Sequence, residues 1–172
     1  MAHASHKKIW IIFSVWTVLI AGFIGFKLMV TLSGTEVLLS VSPVDPLDIF
    51  RGQYVDLRYD IGSIPLDDLG SGLADPRPGY VVYASLDTTG GLGSVSMLSA
   101  DRPARGFYVR GTIERVGADS IFVSYGIESF FVREGLGPEI EQNLRRDARA
   151  KVVVDSSGNA VLVGLIAGGK EY

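Results

Sequence analysis

Residues 9–30 read IWIIFSVWTVLIAGFIGFKLMV, and this run constrains the chain more than any other feature. Its only charge is Lys27, near its end. Twenty-two residues in a helix rise about 33 Å, enough to cross a hydrocarbon layer roughly 30 Å thick. Lys27 can extend its stem to the outer interface, and Trp10 suits the inner one. Lys7 and Lys8 stand just before the run, and after Lys27 no basic residue follows until Arg51. The positive-inside bias then sets the N-terminus in the cytoplasm and the rest of the chain outside. A cleaved signal peptide is the competing reading. It calls for an apolar region of about 7–15 residues and a small-x-small cleavage site, and Thr31 with Ser33 is the best that the sequence offers. Gly22 and Gly25 are three apart, so the segment carries no GxxxG dimer motif. The expected organisation is a cytoplasmic tail (1–8), a transmembrane helix (9–30) and an extracytoplasmic domain (31–172).

Beyond the anchor the composition excludes several classes of function. All 19 acidic residues lie there, starting at Glu36, against 13 basic ones, for a net charge of −6. Such a domain repels phosphate backbones, so nucleic acid is not an expected partner. There is no cysteine, hence no disulfide, thiolate metal site or acylated lipoprotein anchor. Both histidines, His3 and His6, sit in the N-terminal tail. The outer domain therefore has no Ser-His-Asp triad and no histidine zinc site, and no cofactor is expected.

The outer domain reads as mainly β. Residues 35–41 form a first strand. In residues 54–61, Val55, Leu57, Tyr59 and Ile61 alternate with Tyr54, Asp56, Arg58 and Asp60, the period of a half-buried strand. Residues 62–78, rich in glycine and proline, read as a long loop. Strands follow at 80–86 and 94–98, then at 107–116 and 121–127 around a Gly117-Ala118-Asp119 turn, with a further piece at 130–132. Residues 138–147 make one short helix: Pro138 at its first position, Glu139 and Glu141 at its positive end, and Leu136, Ile140 and Leu144 on one face. A closing hairpin, 150–154 and 160–166, flanks 155–159. The fold expected is an antiparallel β barrel or sandwich of about eight short strands with one short helix.

The densest motif is residues 45–59, DPLDIFRGQYVDLRY. Asp45 can cap a helical turn, Pro46 fits its first position, and Asp48 stands where a capping box places its acid. Gly52 can take the left-handed conformation that ends the turn, and the strand then begins at Tyr54. This segment resembles the GDYXXLXY family of bacterial membrane-anchored proteins. The motif falls on Gly52, Tyr54, Leu57 and Tyr59, with Gln53 in place of the family's Asp. Arg51 precedes it, and Tyr125, Gly126, Ile127, Glu128, Phe131, Val132, Glu134 and Gly135 follow in order. The resemblance covers nearly the whole outer domain. It implies residence in the bacterial cytoplasmic membrane and a partner that is a multi-pass membrane protein or another envelope protein. It implies no reaction.

Gln53 argues for a structural motif, because an amide can neither replace a general base nor bring charge to a metal. The face carrying Tyr54 and Arg58, with Glu128 and Glu134 later in the chain, is the candidate partner surface. Asp45, Asp48, Asp56, Asp60, Asp67 and Asp68 are carboxylate-rich but contain no calcium-loop spacing. Glu128 and Glu134 could pair as glycosidase acids, yet both tryptophans lie in the anchor, leaving none to stack on sugar. Three functions compete. The first is a non-enzymatic interaction module held at the membrane. The second is a hydrolase with a signal-peptidase-like β fold around Ser42, Pro43 and residues 51–55. Its Ser/Lys dyad would need a lysine of lowered pKa, and no lysine lies between residues 28 and 150. The third is a ligand sensor with the 62–78 loop as a lid.

Overall fold

The computed structural model describes residues 3–43, 54–70, 72–131, 140, 143 and 147–172. The apolar run folds as one helix, α1 (His3–Ser33). Within it Lys8–Phe26 is long and apolar enough to cross a membrane, and none of that stretch is buried by protein. The described residues after α1 are mainly β, in two antiparallel sheets that curl into a half-barrel and a nearly closed barrel.

The first sheet contains β1 (Thr35–Pro43), β2 (Tyr54–Tyr59), β8 (Ser129–Phe131), β9 (Ala148–Val154), β10 (Ala160–Ala167) and β11 (Lys170–Glu171), in the order β11-β10-β9-β1-β2-β8. The second contains β3 (Ser63–Pro65), β4 (Val81–Asp87), β5 (Ser94–Ser99), β6 (Phe107–Val116) and β7 (Ser120–Ser124), in the order β3-β7-β6-β4-β5. Local hairpins account for β4–β5, β6–β7 and β9–β10. The long-range closure is β1, whose first residues pair with β9 (Leu39 opposite Ala150) and whose last pair with β2 (Val41 opposite Tyr59).

Period-two patterning explains the core. Val37, Leu39 and Val41 of β1 and Val55, Leu57 and Tyr59 of β2 point inward. They meet Val82 and Ala84 of β4, Val109 and Ile113 of β6, and Ile121 and Val123 of β7 in one continuous cluster. The sheets are also joined by backbone: Gly93 N–H donates to Leu38 O at 2.8 Å, and Arg110 N–H to Gly158 O at 2.8 Å.

Four expectations need correction. The strand expected over 54–61 ends at Tyr59, where a 3-10 turn (Asp60–Gly62) buries Ile61 and carries the chain from one sheet to the other. Residues 62–78 are not a free loop. Ser63–Pro65 pairs with β7, because Ile64 fills the core between two exposed neighbours. Further along, Gly70 N–H donates to Leu98 O at 2.6 Å and Leu73 is buried, so the segment is stitched to the domain rather than hinged as a lid. The strand expected to reach residue 127 stops at Ser124, because Gly126 turns the chain with φ +76°. Finally β11, too short to pattern in sequence, adds an edge beside β10. In the expected helix 138–147, Ile140 and Asn143 are helical; most of it, like the capping turn 45–51, lies outside the described residues.

Candidate functional site

β2 divides the motif between two faces. Val55, Leu57 and Tyr59 are buried, while Asp56 and Arg58 between them are exposed. Tyr54 opens the strand opposite Phe131. Arg51, Gly52, Gln53 and Glu134 lie outside the described residues.

Leu57 and Tyr59 are held by the segment that follows β7. Gly126 bends that segment, and its positive φ costs a residue with a Cβ about 1 kcal/mol or more. The bend turns the Glu128 side chain back so that its Oε1 accepts the Tyr125 N–H at 2.5 Å, while Glu128 O accepts the Leu57 N–H at 2.6 Å. Two phenols then cross the junction in opposite directions. Tyr59 OH donates to Ile127 O at 2.8 Å, and Tyr125 OH donates to Ile61 O at 2.7 Å. Each of the two segments thus sends a tyrosine to the other's backbone and satisfies a carbonyl that neither sheet ladder reaches. Burial pushes both hydroxyls well above their ordinary pKa, and the charge of Glu128 adds to the effect. Both remain neutral donors at any physiological pH.

Gly111 in β6 makes room for this arrangement. A Cβ there would stand 2.5 Å from Val123 Cγ1, 2.9 Å from Ser124 O and 2.9 Å from Tyr125 Cδ1. Sequence reasoning passed over Gly111 and the pairing of Tyr59 with Tyr125. The available signal was a lone glycine inside an alternating strand, which marks close approach of another group.

Outside the buried pair lies a groove of about 430 Å3. Arg58, Glu114, Arg115 and Glu128 border it, with Phe122 as its apolar wall. The Arg115 guanidinium sits 3.8 Å from the centroid of the Phe122 ring, a cation–π stack that holds one wall in place. Of the four residues expected on a partner surface, Arg58 and Glu128 meet here. The groove gathers two arginines and two carboxylates around a partly apolar floor, which suits a polypeptide segment bearing both charges.

The serine and the lysine weighed for a hydrolase are both engaged elsewhere. Ser42 Oγ donates to Asp60 Oδ1 at 2.8 Å. Lys151 Nζ donates to Glu171 Oε1 at 2.5 Å, and this bond raises the lysine's pKa, the opposite of what a general-base lysine needs. Among the described residues no three carboxylate or imidazole groups converge as a metal site.

The family model described as "GDYXXLXY protein" matches residues 16–165. Neither a curated protein nor a solved structure matches the chain.

Proposed function

The chain belongs to the GDYXXLXY family, and from that premise we propose that it is a single-pass membrane protein whose outward-facing β domain is a non-enzymatic interaction module. Its partner is a multi-pass membrane protein or another envelope protein, held through the groove beside the motif strand. In this reading α1 is a retained anchor in the cytoplasmic membrane, with Lys7 and Lys8 inside and the acidic domain outside.

The observation that carries the proposal is the division of labour in β2. Its inward motif positions, Leu57 and Tyr59, are taken up by the core and the tyrosine cross-bonds. That leaves Arg58, with Glu128 and the Arg115–Phe122 stack, as the surface that the motif builds. Surfaces of this kind, a rigid cation–aromatic wall rimmed by both charges, suit protein recognition better than turnover. The engaged states of Ser42 and Lys151 weigh against the hydrolase alternative.

The test is photo-crosslinking in intact membranes. A photoreactive residue replacing Arg58 should give a discrete adduct, and one replacing exposed Met97 on β5 should not. Equal labelling from both positions, or none from Arg58, removes the groove as the partner surface.

A further inference from the structure

We propose that the face of the domain around the 155–159 turn docks on anionic phospholipid headgroups beside the anchor, an inference that rests on reading α1 as a membrane span. Two grooves flank that turn, both bordered by arginine; the first opens beside the residue where the domain begins after the anchor, and the second lies against the anchor itself. The first, about 580 Å3, is bordered by Thr35, Arg102, Arg105 and Ser156; Thr35 lies two residues beyond the end of α1. The second, about 390 Å3, is bordered by Phe26 of α1 together with Arg110 and Asn159. The helix also lies against β9 and β10, the two strands that the turn connects.

The turn holds the arginines in place. Arg102 donates from Nη2 to Ser156 O at 2.7 Å and from Nε to Tyr108 Oη at 2.5 Å. Arg110 N–H donates to Gly158 O at 2.8 Å. Arg105 stands on the exposed loop between them. Arg77, Arg149 and Lys151 each pair with a carboxylate, but Arg102, Arg105 and Arg110 pair with none among the described residues. Of the acids nearby, Asp155 borders the first groove, with its carboxylate held by hydrogen bonds within the turn. Asp155 Oδ1 accepts the N–H groups of Ser157 and Asn159, and the Asp101 carboxylate points toward Gly72. A domain of net charge −6 therefore presents three arginines free of ion pairs among the described residues on the side where its anchor leaves, against the single carboxylate of Asp155.

The heights agree. The 19 residues Lys8–Phe26 rise about 29 Å and match the hydrocarbon layer, which sets Phe26 at its outer edge. Arg110, beside Phe26, then stands at headgroup level. Thr35 is about 13 Å further along the chain's rise, roughly 5–8 Å above the headgroups, so Arg102 and Arg105 remain within one Debye length of about 8 Å. Each arginine near an anionic surface multiplies the docked population about fivefold.

The chain has no cysteine, so Ala104→Cys, between Arg102 and Arg105, gives a single labelling site in the full-length protein. The labelled protein is reconstituted in vesicles of phosphatidylcholine, with or without phosphatidylglycerol, that carry a headgroup spin-label quencher. Quenching should rise severalfold with phosphatidylglycerol. That gain should vanish in high salt and in the R102Q/R105Q/R110Q variant. The R105Q/R110Q variant, which keeps the Arg102 hydrogen bonds, should lose most of it while melting like the parent. Quenching that is equal in both vesicle types, with the protein still floating after an alkaline wash, overturns this inference alone. Protein that fails to float overturns the membrane-span reading and this inference with it.

Discussion

Removing one phenolic oxygen from the tyrosine junction is the sharpest perturbation that the structure offers. In Tyr125→Phe the ring stays and its packing against Gly111 is kept, so no cavity opens. What is lost is the donor to Ile61 O, a carbonyl in a 3-10 turn whose residue is 3% exposed. Leaving a buried acceptor unpaired costs about 1–3 kcal/mol. Tyr59→Phe does the same to Ile127 O, and Ile127 is also 3% exposed. For a domain of this size about 1 kcal/mol moves Tm by roughly 3–5 °C, so each variant should melt about 3–15 °C below the parent. Both bonds brace the same junction, so the double variant should depart from additivity by about 0.5 kcal/mol or more. Both tryptophans lie in α1, so tyrosine near-ultraviolet circular dichroism of the full chain in detergent reads the domain's unfolding.

The junction also predicts a pH signature. The folded pKa of both hydroxyls is raised above the ordinary value of 10.0, so their neutral form is the one the fold prefers. That contribution is complete below pH 10 and is lost as pH rises toward the folded values, by up to about 1.4 kcal/mol per pH unit for each tyrosine. The parent should lose stability above pH 10, and the double Phe variant should lose it less steeply. Phe variants that melt within 1 °C of the parent (roughly the measurement error set against the shift expected above), or an unchanged alkaline slope, would refute the reasoning.

Gly111→Ala should destabilise by about 1–3 kcal/mol in the same melts, because Ser124 O is backbone and cannot swing aside. Leu57→Ala, at a position 3% exposed, should cost about 2–5 kcal/mol. A reporter active only outside the cytoplasm, fused after Tyr172, should be active, and one active only inside should be silent; the reverse result would invert the proposed orientation.

The anchor and the strands were legible because their signals are periodic and local. An unbroken apolar run needs no tertiary context, and Val55, Leu57 and Tyr59 alternate with polar residues whatever they pack against. The hairpin at Gly117-Ala118-Asp119 closes as its composition implies, with Gly117 N–H donating to Ser120 O. What stayed hidden is what depends on distant chain. Ile64 looks like one apolar residue in a loop until β7 arrives to pair with it. Tyr125 and Glu128 are 64 and 71 residues beyond Ile61 and Leu57, and no local pattern links them. The two faces of β2 could be separated in sequence, and Arg58 was placed outward on that basis. Its meeting with Glu114, Arg115 and Glu128 needed the β6–β7 hairpin to fold alongside. The strand limits at Tyr59 and Ser124 were missed for a related reason: both are set by turns whose hydrogen bonds go to the other sheet.

The central claim is that the groove beside the motif strand engages a partner while the motif itself holds the fold. Arg58→Glu in the full-length, membrane-embedded protein tests it most directly, with thermal stability and cross-linking from a photoreactive residue at Glu114 read on the same preparation. Arg58 is exposed and outside the core, so Tm should stay within about 2 °C of the parent, the range of a surface substitution. The partner adduct should be lost, because the substitution removes one of the groove's two arginines and sets another carboxylate beside Glu128. An adduct of undiminished yield from a normally folded Arg58→Glu protein would contradict the account.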